Sequence, residues 1–280
     1  MVFEGEYLNG ERSGKGKEFY KDGKLRFDGE YLNNKEWIGT RYDNNGNIIF
    51  KLENNKNGKG KEYIYFGLLI FEGEYLNGKK NGKGKEYFND ENFNIVIFEG
   101  EYRNDLKWNG IGYDPLNNKV YELIDGKGPI KEYDDYDKLK FEGEYLNGKR
   151  NGKGKEYDYG KIIFEGKYFY GKRNGKGKEY DYGKLIFEGK YLNGEKTGKG
   201  IKYMHNEILI FDGGYLNNQK HGKGKEYNLN GQLKYEGEYL YDFKIKGKLY
   251  IKEKLEYEGQ FLYNKKWNEV MINMVILYMN

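Results

Sequence analysis

Residues 141–163 read FEGEYLNGKRNGKGKEYDYGKII, and this stretch decides the fold class. Phe141, Gly143 and Tyr145 alternate with Glu142 and Glu144. An extended chain would therefore carry rings and a small residue on one face and carboxylates on the other. Asn147-Gly148 follows, a pair suited to the positive φ angles of a two-residue hairpin turn. Gly152 and Gly154 then alternate with Lys153 and Lys155, giving a second strand with ammonium groups on its charged face. Those lysines are expected to lie across from the Glu face as cross-strand pairs, each worth about a few tenths of a kcal/mol. Asp158-Tyr159-Gly160 turns the chain back into another copy of the pattern.

Copies open at Phe3, Phe27, Phe50, Phe71, Phe98, Tyr121, Phe141, Phe164, Phe187, Phe211, Tyr235 and Tyr257, which makes twelve units spaced 20 to 27 residues apart. One hairpin is marginal in water, so the units must stabilise one another by stacking. A glycine inside a strand costs roughly 0.5–1 kcal/mol relative to alanine. The recurring pairs are explained if Phe and Tyr rings lie flat against backbone at those points. The expected fold is all-β: an elongated single-layer solenoid of stacked antiparallel β-hairpins, essentially without helix before residue 265. Two strands per unit at about 4.8 Å give roughly 10 Å per repeat and a rod on the order of 110–120 Å.

Composition agrees. The 280 residues include 42 Gly, 31 Tyr and only 2 Pro, with a mean hydropathy of -1.04. Length alone would allow two globular domains, but there is little aliphatic material for a thick core. Disorder is disfavoured by the abundance of aromatics. Cysteine is absent, so neither a disulfide framework nor a thiolate zinc site is available. The run Val270 to Met279, interrupted by Asn273, is about half the roughly 20 residues that span a bilayer. No cleavable signal pattern opens the sequence, and the expected location is cytoplasmic, with membrane association as an extension of it. A net charge of +4 is weak beside that of dedicated nucleic-acid binders, so no nucleic-acid partner is expected.

The string aromatic-x-Gly-x-Tyr-x-x-Gly-x-x-x-Gly-x-Gly resembles the MORN repeat. Phe71, Gly73, Tyr75, Gly78, Gly82 and Gly84 match every position, as do Phe164, Gly166, Tyr168, Gly171, Gly175 and Gly177. The units at Phe3, Phe141 and Phe187 match equally well, and in some form the resemblance runs from Phe3 to about Trp267. It implies a hairpin solenoid acting as a protein-interaction scaffold, often at membranes, with acidic phospholipid binding in some members.

Departures from the pattern organise the chain. The units at Phe27 and Phe98 are one residue longer before Gly39 and Gly110, and they place Trp37 and Trp108 ten residues after the opening aromatic. Trp267 stands ten after Tyr257, and the unit at Tyr235 has Ile245 in the same slot. Residues 1–140 read as irregular repeats in two three-unit blocks. Residues 141–234 form a uniform stretch, and 235–280 hold divergent repeats with a C-terminal cap. Val270 to Met279 is expected to cover the last sheet edge, with end-to-end pairing of two rods as the alternative.

The inventory for catalysis is poor. Ser13 is the only serine, Thr40 and Thr197 the only threonines, and His205 and His221 the only histidines. No nucleophile triad or metal constellation can be assembled from these, so the chain is expected to be no enzyme and to use no cofactor or metal. The paired glutamates recur at fixed unit positions, as a solvated strand face would, and His221 reads as a solvated turn residue. The GKGK strings lack the GxxxxGK[ST] pattern of a phosphate loop.

Cations at the hairpin turns are more informative. Lys149, Arg150, Lys172, Arg173, Lys196 and Lys220 are expected to project unpaired along one edge, a basic stripe for an acidic partner or anionic headgroups. The three tryptophans are candidates for an exposed hot spot, although their coincidence with a changed repeat length favours packing or a bend. The leading expectation is a non-catalytic scaffold for protein–protein interaction. The alternative is a peripheral membrane adaptor that binds acidic phospholipids through the basic turn edge.

Overall fold

The structure is a computed structural model and describes residues 2–52, 58–64, 68–90, 93–134, 138–204 and 207–267. Among these residues every element through Lys266 is a β-strand. The first eleven are β1 (Val2–Leu8), β2 (Glu11–Phe19), β3 (Leu25–Leu32), β4 (Lys35–Tyr42), β5 (Ile48–Leu52), β6 (Gly58–Ile64), β7 (Leu68–Leu76), β8 (Lys79–Asp90), β9 (Phe93–Arg103), β10 (Leu106–Tyr113) and β11 (Lys119–Leu123). They form one sheet in chain order. The second sheet runs in chain order from β12 (Gly128–Tyr133) and β13 (Leu139–Leu146) to β24 (Lys265–Lys266). Between them lie β14 (Lys149–Asp158), β15 (Lys161–Phe169), β16 (Lys172–Asp181), β17 (Lys184–Leu192), β18 (Glu195–Met204), β19 (Ile208–Leu216), β20 (Gln219–Tyr227), β21 (Leu233–Leu240), β22 (Phe243–Ile251) and β23 (Lys254–Leu262). The chain is thus all-β, built from sequential antiparallel hairpins. It divides into two units, residues 1–138 with 144–149, and 139–143 with 150–280.

The turns form as the sequence requires. Asn147 and Gly148 have φ of 52° and 69°, and Asn77 and Gly78 have 52° and 74°, the left-handed pair of the tight hairpin. At Tyr159-Gly160 and Tyr182-Gly183 a tyrosine takes the asparagine place, with φ of 45° and 46°.

One face of each sheet holds the rings. Phe71, Phe98, Phe141 and Phe164 are 0% exposed, and Tyr75, Tyr102, Tyr168 and Tyr191 no more than 5%. Phe164 meets Tyr168 of its own hairpin edge-on at 5.7 Å and Tyr191 of the following hairpin at 5.2 Å. Each Phe therefore bridges two units with a favoured edge-to-face contact. Glycine is what lets the rings lie down. A Cβ on Gly177 would stand 2.5 Å from Phe164 Cζ, and one on Gly166 would stand 2.7 Å from that atom and 2.8 Å from Gly177 Cα. Cross-strand pairing aligns these positions: Gly154 faces Gly166, Gly166 faces Gly177, and Gly177 faces Gly189.

Register slips once per hairpin, at a bulge. On β16 it falls at Asn174–Lys176, between the pairs Gly166↔Gly177 and Tyr168↔Arg173. In the units at Phe27, Phe98 and Tyr235 a single residue is left unmatched, Trp37, Trp108 or Ile245. The apolar run at 270–279 and His205 lie outside the described residues. No helix among the described residues is long and apolar enough to cross a membrane.

Candidate functional site

The cations that follow the hairpin turns divide by register. Lys172 pairs with Phe169 and Arg173 with Tyr168, so successive residues fall on opposite faces. Lys149 and Lys172 are exposed. Arg150 and Arg173 lie on the ring face, each guanidinium carbon 4.0 Å from the centroid of Phe141 or Phe164. Lys196 and Lys220 stand 4.2 and 4.6 Å over Phe187 and Phe211. In the first unit Lys80 and Lys107 lie 4.0 and 4.8 Å over Phe71 and Phe98.

Each of the cations over a ring is also ion-paired. Arg150 reaches Glu156 at 3.5 Å, Arg173 reaches Glu156 at 2.5 Å and Glu179 at 3.2 Å, Lys196 reaches Glu179 at 2.7 Å, and Lys220 reaches Glu226 at 3.6 Å. The tyrosines join in, with the Tyr168 hydroxyl donating to Glu156 at 2.8 Å. Burial alone would raise the Glu156 pKa, but the Arg173 hydrogen bond and charge, Tyr168 and Arg150 hold it below its usual value.

This corrects the expectation of an unpaired stripe at Arg150, Arg173, Lys196 and Lys220. The ring quadrupole attracts the cation, and the second-strand Glu beside the ring neutralises it. The ring face is also closed as a docking surface, because its Phe and Tyr side chains are buried beneath these cations and one another.

Trp37 and Trp108 fill bulges. Trp108 lies under Arg103, whose guanidinium carbon is 4.0 Å from the indole, and a Cβ on Gly126 would come within 2.9 Å of the ring. Its Nε1 is buried without a hydrogen-bond partner. Trp108 is packed, Trp37 is half-buried, and only Trp267, 40% exposed, shows much surface. His221 is half-buried as well, its ring 5.2 Å from that of Tyr241 and its Nδ1 enclosed. It is not the solvated turn residue expected.

The opposite, outer face is open. In the first unit it holds a groove of about 650 Å³ across β6–β9, floored by Gly60, Gly73, Gly84 and Gly100. Its walls are charged side chains flanking the glycines. One carries the pairs Lys61–Glu72 at 3.3 Å and Lys85–Glu99 at 3.0 Å. On the other, Glu74 accepts a hydrogen bond from the Lys83 N–H at 2.8 Å.

In the second unit an equivalent glycine row has unequal flanks. One side alternates in sign: Lys155 reaches Glu142 at 3.5 Å, and Lys178 faces both Glu165 and Glu188. On the other, Lys153 stands directly opposite Lys167 and Lys176 opposite Lys190, all four exposed. On its β15 side Lys153 therefore meets a lysine where the pattern of unit 141–163 alone would place a carboxylate. The signal was present in the sequence as FEGK at 164–167 and 187–190, where 141–144 has FEGE. Its meaning depends on register, which the unit pattern alone does not supply.

Among the described residues no cluster of three or more His, Cys, Asp or Glu side chains could hold a metal. Comparison with known families matches the MORN repeat at residues 3–24, 71–93, 141–159, 164–182, 187–206 and 211–232. No curated protein matches the chain. With six matched repeats set in sheets of sequential hairpins, the chain is a MORN repeat protein.

Proposed function

We propose that the chain is a non-catalytic interaction scaffold, working inside the cell, that docks a protein partner on the outer face of its hairpin sheets. The observation that carries this reading is the glycine-floored groove of the first unit, about 650 Å³ and walled by charged side chains. A trough with charged walls and half-buried backbone at Gly73 and Gly100 fits an extended segment of another protein. On the opposite face Phe71, Phe98, Tyr75 and Tyr102 are buried. Affinity purification of the intact chain from its own cell tests the reading. A protein retained by the wild type and lost when Lys59, Glu74, Lys83 and Glu101 are replaced by alanine supports it. Retention of nothing, or retention indifferent to that change, sinks it.

A second reading, a peripheral adaptor at acidic phospholipid, is favoured by the hairpin edge. There the exposed Lys172 shares its turn with Phe169 and Tyr170, which are 56% and 62% exposed, and the exposed Lys149 shares its turn with Leu146, 43% exposed. Apolar side chains beside cations suit the interface of an anionic membrane. Co-sedimentation with vesicles of acidic and of neutral lipid separates the two readings.

A further inference from the structure

The outer face of the first unit shows how an anion sits on this fold. Glu6 and Glu74 occupy the position after the first-strand glycine. Their carboxylates accept hydrogen bonds from the backbone N–H of Lys15 at 3.1 Å and of Lys83 at 2.8 Å. Both donors follow a bulge glycine in the left-handed region, Gly14 at φ 93° and Gly82 at φ 99°. The bulge thus presents an N–H outward, and a carboxylate of the same hairpin claims it.

The second unit keeps the bulge and removes the carboxylate. Gly175 and Gly198 have φ of 84° and 61°, but the glutamate place is taken by Lys167 and Lys190. Their stems cover the bulges, since a Cβ on Gly175 would lie 3.5 Å from Lys167 Cδ and one on Gly198 would lie 3.6 Å from Lys190 Cδ. An ammonium only donates. Among the described residues no side chain accepts from the N–H of Lys176 or Lys199.

Charge follows the same inversion. Lys153, Lys167, Lys176 and Lys190 lie on the consecutive strands β14 to β17, with Lys153 facing Lys167 and Lys176 facing Lys190. All four are exposed, and none has an ion pair among the described residues. Like charges placed directly opposite destabilise a sheet. Two such pairs therefore stand side by side in the most regular part of the array, against the stability of the sheet.

We propose that this lysine row binds an acidic peptide segment of a protein partner, laid across β14–β18 with its carboxylates where Glu6 and Glu74 place theirs in the first unit. The proposal rests on the scaffold reading and names the chemistry of the partner. Charge-assisted hydrogen bonds from a backbone N–H and an adjacent ammonium are the strong kind for a carboxylate. Lys167 and Lys190 are two strands apart, about 10 Å, or roughly three residues of extended chain. The segment should therefore carry Asp or Glu at about every third position. A bilayer surface is a poorer fit, because the N–H groups of Lys176 and Lys199 belong to the backbone beneath the lysine side chains.

The test is fluorescence anisotropy of the full chain with a labelled Gly/Ser peptide bearing Glu at every third position, at low and high salt. Lys167→Glu with Lys190→Glu restores the first-unit pattern and should leave the melting temperature unchanged or higher, while peptide affinity falls by about tenfold or more. Lys15→Glu with Lys83→Glu makes the same charge change in the first unit and should cost affinity less than about threefold. No binding by the wild type, binding indifferent to the Lys167/Lys190 change, or equal loss in both variants overturns the proposal. So does the case in which acidic vesicles bind through Lys167 and Lys190 and the peptide does not. Failure of the scaffold reading looks different, because the chain then retains no protein from its own cell whatever the labelled peptide does. A native partner retained equally by the Lys167/Lys190 variant leaves the scaffold standing and removes this site.

Discussion

The guanidinium carbon of Arg173 lies 4.0 Å from the centroid of the Phe164 ring, in the register that pairs Arg173 with Tyr168. The arginine is thereby a structural member of the sheet, 25% exposed and shared between Glu156 and Glu179. Truncation would uncover the ring and leave Glu156 with fewer partners. Arg173→Ala should destabilise the second unit by about 1–3 kcal/mol. Lys172→Ala, one residue earlier on the exposed side, should change stability by less than about 0.5 kcal/mol. Denaturant midpoints measured by circular dichroism compare the two, and equal losses would show that Arg173 is only a surface charge. Reversing Arg150 and Arg173 to Glu should unfold the stretch, so binding experiments need other positions.

The glycine row makes a second contrast. A Cβ on Gly154 would meet Phe141 Cζ at 2.6 Å and Cε2 at 2.7 Å, and one on Gly143 would meet Lys153 O at 2.7 Å. Neither the ring nor the backbone carbonyl can move away without disturbing the next hairpin. Gly154→Val should cost about 1–3 kcal/mol or more, whereas Glu144→Ala on the exposed side should stay within about 0.5 kcal/mol. Thermal melts of the two variants check the assignment of faces.

The strand alternation, the turn at Asn147-Gly148 and the ring-over-glycine contact were legible in the sequence because each is set within one hairpin. The charge partners were not. A bulge shifts which residues face one another across a hairpin, and the unit string does not say where the slip falls. On β16, Asn174–Lys176 stand against the single residue Lys167, so Arg173 pairs with Tyr168. The Lys153–Lys167 pair lies between β14 and β15, in the unbroken register beside Gly154 and Gly166, and depends on which residues the following strand brings. A one-residue slip places the tryptophans, since Trp37 and Trp108 are the unmatched residues of the units at Phe27 and Phe98.

Glu226 gives the array an acid-sensitive point. Three ammoniums surround it, Lys234 at 3.1 Å, Lys244 at 3.3 Å and Lys220 at 3.6 Å. Burial would raise its pKa, but the charges of Lys244, Lys220 and Lys234 outweigh burial and bring it to about 2. Lys244 is itself lowered, because burial and its two lysine neighbours exceed what one shared carboxylate returns. Lys244 still stays protonated at acid pH, so the carboxylate governs that limb. Its folded pKa lies below the unfolded value of about 4.3, so the stabilisation is full above that pH and is lost as pH falls towards about 2. Glu226→Gln should be less stable than wild type at neutral pH by on the order of 2–3 kcal/mol. The gap should close between about pH 4.3 and 2; a gap constant over that window would mean that Glu226 is not held ionised.

Tyr159 opens its hairpin turn at φ 45° with its side chain 80% exposed, and Tyr182 does the same at φ 46° and 81%. A left-handed backbone costs a residue with a bulky Cβ substituent roughly 1–2 kcal/mol, while asparagine adopts it readily and is favoured before glycine in this turn. Tyr182 recovers part of the cost by stacking with Lys161, whose ammonium lies 5.1 Å from the ring, worth about 0.5–1 kcal/mol at an exposed site. Tyr159→Asn should therefore stabilise the second unit by about 0.5–1.5 kcal/mol, and Tyr182→Asn by less. Both shifts can be read from urea midpoints at constant m-value. If Tyr159→Asn lowers the midpoint instead, the ring contributes packing that its exposure does not suggest. If the variant is more stable but binds the native partner less well, the strained tyrosine belongs to the docking surface.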